Sequence, residues 1–266
     1  MPSKTLLIGQ NNLLLAASWS GGVAPVDNDD VFILQGDTDI DTNVQDATIQ
    51  LTSLTVAQHG GSIGSAGTPM IIDAVTAKFE GKGRNIFWNP PGTTTLCQWL
   101  PIGADCKLYL GSGAFTTLLG EAGTVFVGGS AVPVTQECNG GSYDIQSGAI
   151  ITTINVRNGS KVWVRRDFTT LNVYAGDVYI DANGVTIGDI NILGATARVF
   201  LVDAAGGGTI ILHAGELHYE NLRTAGTYTA LTHHAGAKRY TTSGPIQPTF
   251  TTETAKGRGA TLIKVS

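Results

Sequence analysis

Charge is scarce in this sequence. Only 14% of its residues are Asp, Glu, Lys or Arg, well under the quarter usual for globular domains. A disordered chain needs more charge and fewer β-branched residues, so disorder over most of the length is excluded. Lys and Arg form no run beyond Arg165-Arg166 and Lys238-Arg239, and the net charge is −5. That balance argues against nucleic acid as a partner. Cysteines number three, Cys97, Cys106 and Cys138. An odd count without metal-ligand spacing excludes a disulfide scaffold and predicts buried apolar thiols, with a Cys97–Cys106 bridge as the alternative. No window approaches about 18 unbroken apolar residues, so no membrane span is expected. Leu13 to Ala17 is too short for a signal-peptide core, which predicts a soluble protein made in a cytoplasm. Helical periodicity is missing too: Gly or β-branched residues interrupt every candidate stretch longer than ten residues.

What remains is glycine, 35 of 266 residues, set among Thr, Val and Ile, the composition of short strands and tight turns. Gly123, Gly141, Gly159, Gly176 and Gly194 each open an alternating apolar segment, at steps of 18, 18, 17 and 18 residues. A second column is a small word: Val132/Val134, Ile154/Val156, Leu171/Val173, Ile190/Ile192 and Ile210/Leu212, at steps of 22, 17, 19 and 20. Two columns sharing one period predict two short strands per repeat. Neither strand can bury its apolar side alone, and stacking copies solves this with one continuous core. The fold class predicted is all-β, a parallel β-solenoid, right-handed because the steps drift and lack a strict six-residue pattern. Asn155, Asn172 and Asn191 recur inside the word, and are expected as an outward-facing row with an amide ladder as the alternative. Residues 1–30 are predicted as an N-terminal arm and cap, 31–242 as the solenoid body and 243–266 as an extended C-terminal segment. Residues 82–120, with Phe87-Trp88, Trp99 and Phe115, read as an irregular insertion, either an inserted loop or an irregular coil. After Gly215 the spacing halves to 10 or 11 residues, continuing both columns.

Several side chains could carry chemistry. Asp37, Asp39 and Asp41 alternate, which on a strand places three carboxylates on one side, near Asp27-Asn28-Asp29-Asp30; they are the candidates for Ca²⁺. A solvated strand face next to an acidic turn is the simpler expectation. His213, His218, His233 and His234 lack carboxylates or thiols at ligand spacing, so stacked or exposed histidines are expected rather than a metal centre. Asp177, Asp181 and Asp189 are the candidates for a glycosidase pair, which requires two carboxylates facing each other across a bond. All three lie in turn-like contexts, and His59-Gly60-Gly61 is not a catalytic signature, so no enzyme activity and no cofactor are expected. Arg157, Arg165 and Arg166 form a candidate patch for an acidic partner, with a solvated face as the alternative.

The word "NNLLLAASWSGGVAPVDNDDVFIL" (residues 11–34) carries a family likeness. Its Trp-Ser-Gly-Gly-x-x-Pro core followed by Asp-Asp-Val and an apolar strand resembles the start of β-helical virion proteins from tailed bacteriophages. Trp19 suits a plug for the first coil, Gly21 and Gly22 a sharp turn, and Pro25 the entry to the Val31–Ile33 strand. The likeness covers about 25 residues plus the solenoid pattern, and is a fold-level analogy. It implies a capsid decoration (cement) protein, a homotrimer by preference, on the virion surface and with the major capsid protein as partner. It expects extended ends to clasp the shell, and neither nucleic acid nor membrane as a partner. A tailspike-type protein that binds or cleaves carbohydrate is the alternative.

Overall fold

The computed structural model describes residues 3–265 apart from 43, 83, 104, 183–186, 205, 243–245 and 258–260. It is a parallel β-solenoid whose chain divides into two compact units, residues 1–134 and 135–266. The first unit contains β1 (Ser3–Thr5), β2 (Asp30–Leu34), β3 (Gln45–Ala57), β4 (Ile71–Gly81), β5 (Asn85–Trp88), β6 (Thr93–Pro101), β7 (Lys107–Gly120) and the first residues of β8 (Thr124–Cys138). Its ladder runs β1–β2–β3–β4–β6–β7, every pairing parallel. Alternation puts every second side chain inward, so register builds columns. Val31, Leu54, Ala77, Cys97 and Leu118 stack in order, all buried. Ile40, Ile63, Ile86 and Leu108 form another column through single bridges and the β5–β7 pairing.

Of the two readings of residues 82–120, the described residues fit the coil and not the inserted loop. β5 pairs with β7, and β6 joins β4 to β7 in register. The aromatic residues that suggested irregularity fill the core or line its outside. Trp88 and Phe115 are buried edge to face, 5.9 Å apart, and Trp88 Nε1 donates to Ile72 O at 2.9 Å. Phe87, Tyr109 and Phe126 stack face to face on adjacent coils at 4.3 and 4.6 Å.

The second unit takes up the end of β8 and adds β9 (Ser142–Ile145), β10 (Ile151–Val156), β11 (Lys161–Val164), β12 (Phe168–Val173), β13 (Gly176–Ala182), β14 (Asp189–Ile192), β15 (Ala197–Ala204), β16 (Gly206–Leu212), β17 (Glu216–His218), β18 (Thr227–His234), β19 (Lys238–Thr242), β20 (Thr249–Lys256) and β21 (Thr261–Val265). Even-numbered strands stack in one ladder from β8 to β20 and odd-numbered ones in another from β9 to β21, all parallel. The half-period after Gly215 is this alternation continuing. Ile154, Leu171, Ile190, Ile210 and Leu231 form one core column; each is fully buried and contributes about 1.5–3 kcal/mol of burial. The rung preceding Ile154/Val156 is Gln136/Cys138, not Val132/Val134. Gln136 is polar and wholly buried, so a search for apolar letters passes over it. The glycine column marks the corners. At Gly176 φ is +99°, and a Cβ there would lie 2.3 Å from Ser160 O.

The C-terminal segment is extended, and β20 and β21 within it lie in register on β18 and β19 as a further coil. The three thiols, Cys97, Cys106 and Cys138, are free and buried, and burial pushes the Cys97 and Cys138 thiols well up. The Cys97–Cys106 alternative is not realised.

Candidate functional site

The outside of the odd ladder in the second unit concentrates the most chemistry. Trp163, Tyr179, Phe200, His218 and Tyr240 occupy one register position on β11, β13, β15, β17 and β19. The parallel register forces their rings into a pile, with centroids 5.4, 4.7, 4.5 and 4.2 Å apart. His218 is held edgewise as well. Its Nε2 lies 3.0 Å from Glu216 Oε2 and its Nδ1 3.0 Å from Glu220 Oε1. Glu216 Oε1 also accepts from Lys238 Nζ and Tyr240 Oη, each at 3.3 Å. Partial burial alone would raise the Glu216 pKa, but hydrogen bonds from His218 and Lys238 outweigh it and bring it below the ordinary value. One coil earlier, Arg198 grips Asp177 with two bonds of 2.7 Å, which raises the Arg198 pKa.

This pile is poorly suited to stacking a sugar. Each inner ring has a neighbour on both faces, so only ring edges face the solvent, and Lys161 Nζ lies over the Trp163 ring at 4.7 Å. Ring faces, not edges, carry the π density that other groups stack upon. A shallow pocket of about 80 Å³ beside Phe200, His218, Glu220 and Asn221 adds little room.

The carboxylates considered for glycosidic chemistry serve neighbouring coils. Asp177 is the Arg198 partner, Asp181 accepts from Arg223 at 3.3 Å, and Asp189 accepts the Thr209 amide at 2.7 Å. The arginine patch is spent in the same way. Arg157 pairs with Glu137 and covers the Tyr174 ring, and Arg165 pairs with Asp144. Arg166 is not a surface residue: it is fully buried and donates to Gln146 O and Ala149 O. The side chains therefore do not form one free basic surface.

Asp37, Asp39 and Asp41 lie beyond the end of β2, outside any strand. Asp39 accepts the Ser62 amide at 2.7 Å, and Asp41 accepts the hydroxyl of its neighbour Thr42 at 3.2 Å. Asp37 and Asp39 line an open pocket with Gly60, Ser62 and Arg84, and Asp41 is not among its walls. Among the described residues no three His, Cys, Asp or Glu side chains converge as a metal site. His213 and His234 stack at 4.6 Å, and His233 is buried with Nε2 2.9 Å from Ala237 O.

Trp19 is buried and its Nε1 donates to Leu13 O at 2.8 Å, while Leu6 and Trp19 bridge antiparallel. Gly21 and Gly22 hold φ of +83° and +67°, and Pro25 is buried. Residues 5–26 contain no charged side chain. Leu7, Ile8, Leu15, Val23 and Val26 are nevertheless exposed, Ile8 by 69%.

The asparagine row was foreseen and the ring pile was not. The asparagines form an outward amide ladder, so the two alternatives are one: Asn172 donates to Asn155 and Asn191 to Asn172, each at 2.9 Å. Glu137 closes its lower end, accepting Asn155 Nδ2 at 2.6 Å. The ring pile was legible in principle, because each member sits between two inward positions, as Trp163 does between Val162 and Val164. Its identities vary among Trp, Tyr, Phe and His, which hides the column.

Stacked coils, with side chains spent mainly on holding the next coil, define a β-solenoid protein of structural type. No protein family matches the chain, and neither curated proteins nor solved structures give a match.

Proposed function

We propose that this chain is a structural virion protein of a tailed bacteriophage that decorates and stabilises the assembled head shell. One observation carries the reading: the acidic and basic side chains eligible for catalysis or for a charged interface are consumed by coil-to-coil bonds, as in Asp177–Arg198, Glu137–Arg157 and Asp144–Arg165. A side chain that staples coils is unavailable as an acid, a base or a free partner for a ligand. The cap word around Trp19 supports the phage assignment by its resemblance.

The mode of attachment differs from a clasp by loose ends. Residues 3–5 pair with β2, and β20 and β21 are docked. The uncharged cap with its exposed Leu7, Ile8, Leu15, Val23 and Val26 is the surface proposed to meet the major capsid protein, through apolar burial. A trimer on the capsid surface, made in the host cytoplasm, belongs to the same proposal.

The test is thermal release of packaged DNA from capsids with and without the added protein. The expected result is a higher release temperature with the wild-type chain and none with Ile8→Asp plus Val26→Asp, whose exposure lets both variants fold. Equal release temperatures with and without wild type overturn the reading. The carbohydrate alternative keeps one supporting observation, the open polar pocket of Asp37, Asp39, Ser62 and Arg84; a glycan array separates the two.

A further inference from the structure

In the second unit, the corner between β10 and β11 is longer than its neighbours in the stack. Register fixes its ends: Val156 lies on Cys138 and Val173, and Lys161 lies on Ser142 and Asp177. Four residues, 157–160, therefore span a corner that the coils on either side span with three, 139–141 and 174–176. The flanks of the long corner are anchored. Arg157 N donates to Cys138 O at 2.8 Å, and Lys161 N donates to Gly141 O at 2.9 Å. Ser160 is buried, with its Oγ 2.8 Å from Cys138 O. The extra residue can only go outward. Asn158 and Gly159 form the tip, with φ of +53° and +72°, and Ser160 N closes the turn on Arg157 O at 3.1 Å. Positive φ at both central residues is the turn that Asn-Gly favours. Both residues are exposed, and a Cβ added at Gly159 would meet nothing within 4 Å.

An Asn-Gly pair has a chemistry of its own. The Asn side-chain amide lies one residue from the next main-chain nitrogen, and Gly has no Cβ to block their approach. The sequence holds three such pairs, beginning at 139, 158 and 183; the last lies outside the described residues. At the shorter corner one coil earlier, Asn139 is half-buried with its amide oxygen covered, and Gly140 is buried. Ring closure between side chain and backbone requires the Asn ψ to rotate away from its turn value. The protruding tip has room for that rotation, and the short corner does not. We propose that Asn158 is a site of spontaneous deamidation, selected from the described Asn-Gly pairs by the extra residue in its corner.

The step balances without any oxidant or reductant. Base removes the proton from Gly159 N, and the nitrogen attacks Asn158 Cγ. The N–Cγ bond forms, the Cγ–Nδ2 bond breaks, and the amide nitrogen takes up protons from water and leaves as ammonia. Water then opens the cyclic imide. Cleavage of N–Cγ gives aspartate, and cleavage of the bond from N to the main-chain carbonyl carbon gives isoaspartate, whose chain runs through the former side chain. Both products carry a new carboxylate next to Arg157. Isoaspartate also lengthens the main chain by one methylene, which breaks the fit of the Ser160–Arg157 turn bond. The corner therefore loosens with age while the ladders on both sides stay paired.

The test follows the intact chain in mildly alkaline buffer, folded and in denaturant, with peptide mass mapping over time. In denaturant the peptides containing Asn139 and Asn158 should both convert. In the folded chain the Asn158 peptide should convert first, releasing ammonia and becoming a substrate for an isoaspartyl methyltransferase, while the Asn139 peptide stays intact. An Asn158 that stays intact in the folded chain after the denatured sample has converted overturns the proposal. So does equal conversion of Asn139 and Asn158 in the folded chain. Asn158→Asp supplies the charge without the added methylene, so the aged chain should melt below this variant. Equal melting temperatures overturn the loosened corner.

Discussion

Arg239 and Glu253 stand in two different core columns of the second unit and meet at 2.6 Å. Arg239 follows Val162, Val178, Val199 and Leu217 in one column, and Glu253 follows Ile210 and Leu231 in the other. Aliphatic columns thus turn to opposite charges on neighbouring coils, where the Arg239 side chain is largely covered and Glu253 is half-exposed. Inward-pointing charge is one way a sheet keeps a strand edge from recruiting another chain. Glu253→Leu alone leaves the Arg239 guanidinium, whose side chain is 11% exposed, without this carboxylate, and should lower stability by about 1–3 kcal/mol. Arg239→Leu with Glu253→Leu restores two aliphatic columns and should recover most of that loss. The double variant should also associate as concentration rises. Thermal unfolding and light scattering on the same samples check both outcomes.

The asparagine ladder makes a second prediction. Asn172 both donates to Asn155 and accepts from Asn191, so Asn172→Ala breaks two bonds in a half-buried column. The expected loss is about 1–3 kcal/mol, larger than a surface substitution gives. Asn172→Asp keeps the acceptor for Asn191 but sets a carboxylate against Asn155 Oδ1. It should be destabilised at neutral pH and recover towards wild type as the carboxyl is protonated, seen as opposite slopes of melting temperature against pH.

These two cases show where the sequence was readable. Ile154, Leu171 and Ile190 could be aligned by eye because burial demanded aliphatic residues at a fixed step. Gln136, Arg239 and Glu253 hold equivalent columns, yet polar letters break the pattern, and only register reveals them. Residues 82–120 were left between a loop and a coil for a related reason. Their coils are longer, and their columns change from Ala77 to Cys97 and from Phe79 to Trp99, so neither period nor residue type repeats. The burial of Trp19 and the turn at Gly21 and Gly22 were legible, since a large apolar ring seeks cover and a positive φ favours glycine. Charge pairing was not. Nothing in the sequence says that Arg165 faces Asp144, 21 residues earlier, until the coil length is known.

Arg166 gives the third prediction. Its buried guanidinium holds the carbonyls of Gln146 and Ala149, and so pins the turn that carries exposed Ile150. Burial lowers its pKa, as desolvation disfavours the charged form. Arg166→Met keeps the apolar stem but frees both carbonyls, and Arg166→Lys offers one ammonium in place of a fork. Both should destabilise, Met more than Lys, and amide hydrogen exchange should quicken first over residues 146–151.

The last prediction concerns acid. Burial would raise the folded pKa of Glu216, but hydrogen bonds from His218 and Lys238 overcome it and hold the carboxyl below the ordinary glutamate range. A carboxyl with a depressed folded pKa stabilises the protein fully above its unfolded value, and that contribution is lost as pH falls through the folded value. Glu216→Gln removes the titration while keeping an acceptor near Lys238 and Tyr240. Wild type should therefore melt higher than the variant at pH 7, and the gap should close as the pH drops below the ordinary glutamate range. A gap that stays constant down to the acid limit would show that Glu216 acts by shape and not by charge. The same titration should reach the ring pile, since His218 is held by Glu216 and Glu220 between Phe200 and Tyr240. Near-ultraviolet dichroism from the stacked rings should weaken over the pH range in which the stability gap closes.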